Sequence, residues 1–395
     1  MKQVFISLFI AVAVAMIGVG IISPILPLYA KTFAASGVSI GLVFSAFSLS
    51  RCLLGPLIGR LSDRIGRKRI LMIGLASYTL TSILYAVAMS LWQLGVFRFV
   101  QGAAAAMVTP IAQAYIGDLT PRGKEGRTMN LFYSSMFLGM AVGPLLGGGL
   151  STLWSYEIAF YAMGILSTVA LILVAAILPA DHGRGEYEKR RPREIVPLRH
   201  VMRNDAVKAI AVYVATRGFW RQGFNTFYPL FAVAVSGLGE ASIGTVVSVY
   251  MLGGGLLQIP FGYLADRYPR LPQVVLGSTL APMVLFAVPF VRHVWVIILI
   301  TFVMGAFSAL SRASIIAIRT ELGRTHGMGT LAGLQGGSFA AGQMIGPLVS
   351  GVVADFFGLT AVFPVGGGIG LLGTGLVMVW LRRWKRRSAP ARPAG

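Results

Sequence analysis

Five arginines stand inside long apolar stretches of the chain: Arg51, Arg98, Arg217, Arg221 and Arg312. A guanidinium at membrane depth is costly against hydrocarbon, so each must face a polar cavity or a partner. Its planar fork of donors matches carboxylate and phosphate groups. Arg217 and Arg221 are four residues apart and would share one face of a helix. Polar amides accompany them: Gln101 and Gln113 near Arg98, Gln222 and Asn225 beside Arg221. The thirteen acids are Asp63, Asp118, Glu125, Glu157, Asp181, Glu186, Glu188, Glu194, Asp205, Glu240, Asp266, Glu321 and Asp355, and none falls mid-stretch. The four histidines (His182, His200, His293, His326) also avoid the apolar cores. Cys52 is the single cysteine, which excludes an internal disulfide and a cysteine metal cluster. Clustered acid, base or metal ligands at depth are what an embedded enzyme needs. Their absence here argues against an enzyme, a resident cofactor or a metal. What the arginines can do is attract an anionic or zwitterionic solute.

The elements that must position them follow from composition. Of 395 residues, 56% are hydrophobic and 12% charged, with a mean hydropathy of +0.76. A soluble domain of that kind could not cover its core with polar surface. Apolar runs long enough to cross about 30 Å of hydrocarbon fall near 4–30, 38–60, 69–89, 92–118, 127–152, 157–179, 206–236, 242–265, 273–291, 294–319, 329–355 and 361–382. In lipid such runs must be helical, because a lone extended segment leaves its backbone groups unpaired. The fold class is therefore all-α and integral to a membrane, with twelve spans. The net charge of +21 reflects orientation, and no nucleic acid is expected. With the N-terminus inside, cytoplasmic segments carry 27 Lys and Arg against 2 on the other side, Lys31 and Arg292. That bias places both termini in the cytoplasm. The charged stretch 180–205 reads as a cytoplasmic linker touching anionic lipid, and 383–395 as a basic cytoplasmic tail.

The two sets of six spans are repeats. Gly59, Leu61, Asp63 and Arg64 recur 203 residues later as Gly262, Leu264, Asp266 and Arg267. At the same offset Phe99, Val100, Gly102 and Ala103 become Phe302, Val303, Gly305 and Ala306. Gly139, Gly143 and Pro144 become Gly342, Gly346 and Pro347, again at 203. This predicts two six-helix bundles, residues 1–179 and 206–382, in parallel order with a cavity between them. None of the five arginines has an arginine at its repeat-related position.

The loop after span 2, Gly59-Arg-Leu-Ser-Asp63-Arg-Ile-Gly66-Arg67-Lys68-Arg69, resembles the signature of the major facilitator superfamily. Arg98-Phe-Val-Gln101-Gly102 and Gly139-Met-Ala-Val-Gly143-Pro144-Leu-Leu-Gly147-Gly148 are similar to elements of its twelve-span drug:proton antiporters. The resemblance implies the major facilitator fold, with spans 1, 4, 7 and 10 lining the cavity. It implies a latch on the cytoplasmic face: Gly59 for close approach, Asp63 facing the N-terminus of span 11 near Leu331, Gly66 in the turn, and Arg67 paired with Asp118. The second-half copy keeps Asp266 but places Pro269 and Leu271 in the glycine-basic run, so a weaker copy is expected there. Gly139, Gly143, Pro144 and Gly147, with Gly342, Gly346 and Pro347, are read as smooth seams on which the halves rock. Gly253–Gly255 of span 8 are the expected partner of the first set, and Gly55 and Gly59 of the second.

The leading functional expectation is a secondary active exporter of small amphipathic compounds or drugs, driven by a proton gradient, monomeric and working by alternating access. The alternative is an organic anion or metabolite exchanger of the same fold, with Arg98, Arg217, Arg221 and Arg312 as substrate ligands. Exporters of cationic drugs in this group commonly carry an acid deep in an early span, and span 1 here has none. Phe219, Trp220, Phe224, Phe227 and Tyr228 are candidates for an apolar cavity wall.

Overall fold

A computed structural model describes residues 2–120, 125–179, 201–326 and 328–388. The described residues are almost wholly helical and contain no strand. Spans 1 to 6 are Lys2–Thr32, Gly37–Ile65, Arg67–Ala86, Leu91–Leu119, Glu125–Leu153 and Tyr156–Ile177. Span 7 is Asp205–Ala234, and span 8 is two helices, Glu240–Leu256 and Gln258–Arg267. Spans 9 to 12 are Arg270–Ala287, Val294–His326, Met328–Phe357 and Leu359–Ser388. Most of the charged linker, and the tail from 389, lie outside the described residues.

The helix ends follow local chemistry. Ser36 and Ser155 cap spans 2 and 6, each accepting from the N–H three residues on, and Asn204 caps span 7. Such caps satisfy donors that a helix start leaves free. Gly66 turns the chain between spans 2 and 3 at φ +103°, which side-chain-bearing residues avoid. Span 8 breaks at Leu257 because Pro260 cannot donate to the Leu256 carbonyl, just after the weak run Gly253–Gly255.

Eleven of the twelve spans are apolar and long enough to cross a bilayer by themselves. Span 7 is not, because Lys208, Arg217, Arg221, Gln222 and Asn225 dilute it. It is also closely surrounded, with twenty of its thirty residues buried. A helix too polar for lipid must be covered by protein or line water.

Packing obeys the repeat. Span 1 packs on spans 5 and 6, as span 7 does on 11 and 12. Span 2 packs on span 4 as span 8 does on span 10, and span 3 on 4 and 6 as span 9 on 10 and 12. The two principal contacts between halves, span 2 with span 11 and span 5 with span 8, are repeat mates too. Large apolar side chains such as Leu42, Ile165 and Leu372 are left outward, as a lipid-facing surface requires.

The glycine stripes lie elsewhere than expected. Gly139, Gly143 and Gly147 press on Ala13, Ile17, Gly20 and Ile21 of span 1, inside their own half. Gly342 and Gly346 press likewise on Ala215 and Phe219 of span 7. Only Pro144 and Pro347 reach the other half, through their carbonyls, which meet Gly244 and Gly41. Gly148 against Glu240, and Gly351 against Gly37, complete two matching seams. The stripes therefore bind each bundle together, and the rocking seams are built from the residues beside them. Gly253 meets Phe302 of its own half, and Gly255 meets Phe137 of span 5.

Among the described residues the seam of spans 2 and 11 is closed toward the face opposite the termini, called here the far face. The seam of spans 5 and 8 stays in contact down to mid-depth, where Gly255 meets Phe137. Gly37, Gly41 and Ser45 of span 2 are in contact with span 11, the Ser45 hydroxyl donating to the Met344 carbonyl at 2.5 Å. Toward the terminal face, a side chain at Gly55, Gly59, Gly262, Gly333, Gly336 or Gly337 would meet no atom within 4 Å. The halves are splayed at the terminal face.

Candidate substrate site and gates

Three of the five arginines come together in the second half. Arg217 and Arg221 sit one turn apart on span 7, and Arg312 on span 10 is within electrostatic reach of both. Arg217 Nε donates to Ser308 Oγ at 3.0 Å, with its guanidinium 5.8 Å from the Phe339 ring. Arg312 donates to Gln258 Oε1 at 2.6 Å and to the Gly254 carbonyl at 2.7 Å, both on span 8. Its guanidinium lies 4.8 Å from the ring of Phe137, which comes from span 5 of the other half. Arg221 makes a weak contact, Nη2 to Met251 Sδ at 3.5 Å, and also interacts with the Tyr250 hydroxyl. Among the described residues, no carboxylate pairs with any of the three. Three like charges in a half-buried setting raise a strong positive potential.

Serine spacing on span 10 positions this group. Ser308, Ser311 and Ser314 are buried on one face. They meet Arg217, the Tyr213 hydroxyl at 2.8 Å and Gln273 Oε1 at 3.0 Å, tying spans 7 and 9 to span 10. The three-residue serine repeat was a readable signal for this role. Phe137, contributed by the opposite half, had no such signal.

The other expected cavity residues divide. Arg98 is buried inside the first half, donating to Gln101 Oε1 at 2.7 Å, between the rings of Phe44 at 4.5 Å and Phe47 at 5.2 Å. Tyr85 donates to the same Gln101 oxygen at 2.9 Å. This is a polar knot joining spans 2, 3 and 4, apart from the second-half arginines. Gln113 donates to the Tyr133 hydroxyl at 2.7 Å, linking spans 4 and 5. Asn225 is buried on span 7 with its oxygen unpaired, and Gln222 accepts from Gln343 at 3.2 Å. The aromatic run of span 7 is largely core: Phe224 stacks on Tyr228 at 5.0 Å and packs against Tyr250 and Phe363. It cements the second bundle, while Trp220 also lines a small pocket beside Arg217 and Phe227 lines a cavity at the far face; a continuous aromatic run encodes burial but not which neighbour buries it.

On the terminal face, Asp63 is 58% exposed, and its near partner is Arg67 of its own turn, at 3.7 Å. The side chain of Asp118 lies outside the described residues. Its repeat mate is Glu321, and the mate of Arg67 is Arg270; these two pair across spans 9 and 10 at 2.6 Å. Pro269 and Leu271 thus leave the second copy an inter-helix ion pair at these positions. Asp266 is exposed beside it. Lys68 donates to the Ala175 carbonyl at 2.8 Å, near the C-terminal end of span 6, where a cation suits the dipole. Arg270 and Glu321 are solvent-accessible, so a double-mutant cycle on thermal unfolding should return a coupling of only about 0.2–1 kcal/mol. A value several times larger would make the pair part of a buried network.

A two-fold bundle of twelve membrane helices, split at one face around a polar span, is the build of a transmembrane transporter, not of an enzyme. The model of the Major Facilitator Superfamily matches residues 8–244 and again 217–395, and the chain belongs to that superfamily. The quinolone resistance protein NorA of Staphylococcus aureus is 25% identical over 384 residues, covering 96% of each chain. An uncharacterized MFS-type transporter of Methanocaldococcus jannaschii is 26% identical over 364 residues, covering 92% of this chain and 94% of its own. Among solved structures, a bacterial homolog of the human lysosomal transporter Spinster, in an inward-facing and occupied conformation, superposes with a TM-score of 0.82 at 15% identity, covering 99% of both chains. The human organic anion transporter MFSD10 gives 0.69 at 17% identity, covering 95% of this chain and 99% of that one.

Proposed function

We propose that this protein is a secondary active exporter of small amphipathic organic compounds that carry a negative group, driven by a proton gradient. Residues 1–179 and 206–382 are its two halves, joined by the linker 180–205, and the terminal face is cytoplasmic. The protein works as a monomer in the cell membrane. The observation that carries the substrate class is the cluster of Arg217, Arg221 and Arg312 with no carboxylate among its described neighbours. Such a group gains most from a solute that brings the missing negative charge. Export is supported by the span 5 element and by the likeness to a quinolone resistance protein. Cytoplasmic termini are supported by the Lys and Arg bias. The latch of Gly59, Asp63, Gly66, Arg67 and Asp118 belongs to the opposite state, closing the cytoplasmic face when the cavity opens outward.

A second reading, an exchanger of organic anions, is favoured by the absence of any acid in the middle of a span. One experiment separates them. The protein is reconstituted in liposomes and given an inward-acidic pH step, with an amphipathic organic anion and a lipophilic cation dye offered in parallel. Uptake of the anion that follows the pH gradient is expected. Anion uptake that ignores the gradient but responds to anion loaded inside would establish the exchanger. Uptake of the cation alone would overturn the role of the arginines.

A further inference from the structure

The far-face closure is built in an unusual way: each half caps a helix that belongs to the other. Span 2 begins at Gly37, and its first-turn N–H groups need acceptors. Ser36, its own cap, accepts from Ser39 at 3.2 Å. The remaining two donors go across the seam, Gly37 N–H to Asp355 Oδ1 at 2.5 Å and Val38 N–H to Oδ2 at 2.9 Å. Asp355 ends span 11, in the second half. Its repeat mate is Thr152, at the end of span 5 in the first half. The Thr152 hydroxyl accepts from Ala241 N–H at 3.0 Å, in the first turn of span 8. That helix has no side-chain cap of its own at Gly239. Ala241 is in turn the mate of Val38. The same bridge is thus made twice, once with a carboxylate and once with a hydroxyl. Beside the second bridge Tyr156 donates to Glu240 Oε1 at 2.9 Å, again across the halves.

We propose that Asp355 and Thr152 with Glu240 form the far-side gate, and that the carboxylate of Asp355 sets how firmly the protein rests with its terminal face open. A carboxylate on a helix N-terminus gains from both the free N–H groups and the positive end of the dipole. When the halves part at the far face, the Gly37 and Val38 N–H groups pass to water and that gain ends. The hydroxyl bridge itself carries no charge, but Glu240 beside it accepts from Tyr156 at 2.9 Å and from Thr152 at 3.5 Å. Each side of the gate thus holds one carboxylate, and only on spans 2 and 11 does that carboxylate cap the helix directly. The seams beneath it, Gly41 on Pro347 and Gly244 on Pro144, bring the backbones close enough for the bridges to form.

A cavity of about 370 Å³ lies over the gate and includes Asp355, so the medium reaches the carboxylate. The charged and titratable groups around it are Lys31 from span 1, Tyr156 from span 6, with Glu157 next to it, and Glu240 from span 8; the lining residues from spans 7 and 12 are uncharged. Lys31 is held by the Ala35 carbonyl at 3.1 Å. The carboxylates of Asp355 and Glu240 both line this cavity, apart from the arginine cluster of the substrate site.

The test uses the full chain with Cys52→Ser, and nitroxide labels at Met89→Cys and Phe290→Cys, exposed far-face positions in opposite halves. Double electron–electron resonance reads the distance between them in nanodiscs. At pH 7.5 the parent should give one short population. Asp355→Asn should move a large part of it to distances several ångströms longer, and Thr152→Val a smaller part. A parent-like distribution for Asp355→Asn, in protein that is monodisperse and melts as the parent does, overturns the proposal. Should Asp355→Asn fail to fold, Thr152→Val decides alone.

Discussion

Arg221→Gln should weaken binding of an amphipathic organic anion by about 100-fold and leave the melting temperature of the protein within a few degrees. The size follows from what a guanidinium can give: hydrogen bonds to a charged group are worth about 1.5–3 kcal/mol each, a factor of roughly ten to a hundred. Of the three second-half arginines, Arg221 is the one that, among the described residues, bonds no serine, amide or backbone oxygen. Arg217 is spent partly on Ser308, and Arg312 on Gln258, Gly254 and the Phe137 ring. Arg221 meets the Met251 sulfur and the Tyr250 hydroxyl. Its charge lies near two others of the same sign, so removing it relieves repulsion and should cost little stability. Arg98→Gln should behave in the opposite sense. That side chain fills a knot between Phe44, Phe47 and Gln101, so its loss should lower stability and change anion affinity little. Isothermal titration against the anion, with thermal unfolding of the same samples, separates the two. Undiminished anion affinity in Arg221→Gln would remove it from the site.

Much of this architecture is legible in the chain because the bilayer leaves few choices. Runs of apolar residues must be helices, so the spans appear within a few residues of where hydropathy puts them. Span 7 reads as an apolar run over 206–236, yet its arginines and amides leave it too polar to qualify by itself, and the repeat independently demands a helix at that place. The offset of 203 residues carried more than was taken from it. Applied to Arg67 and Asp118 it lands on Arg270 and Glu321, the pair the structure brings to 2.6 Å. Applied to Val38 and Thr152 it lands on Ala241 and Asp355, the two ends of the far-side bridges. What the chain does not encode locally is the partner of a face. A stripe of glycines permits close approach but does not say by which helix, and an aromatic run says only that something covers it. Gly139, Gly143 and Gly147 were therefore readable as contact residues, and span 1 as their partner was not.

That difference in partner leads to the second large effect. Valine at Gly143 and valine at Gly244 are the same substitution in the same kind of tight helix crossing, yet they should fail differently. A Cβ at Gly143 runs into Gly20 and the Ile17 carbonyl of span 1, inside the first bundle. Neither neighbour is a flexible side chain, so the bundle must spread. Overpacking commonly costs about 1–3 kcal/mol and more where backbone must move. Gly143→Val should therefore unfold several degrees lower or fail to accumulate as monodisperse protein. A Cβ at Gly244 runs into the Pro144 carbonyl and Gly148, on the seam between halves. There the collision can be relieved without unfolding either bundle, because the halves are free to part at the far face. Gly244→Val should remain folded, with its far face open in a larger fraction of molecules and anion transport reduced at least tenfold. The mate on the other seam, Gly41→Val against the Pro347 carbonyl, should repeat the result. Thermal unfolding measures the first effect, and far-face distances with transport rates measure the second. Equal loss of stability in Gly143→Val and Gly244→Val would mean that the seams are structural cores like any other. Alternating access would then need a different line of separation.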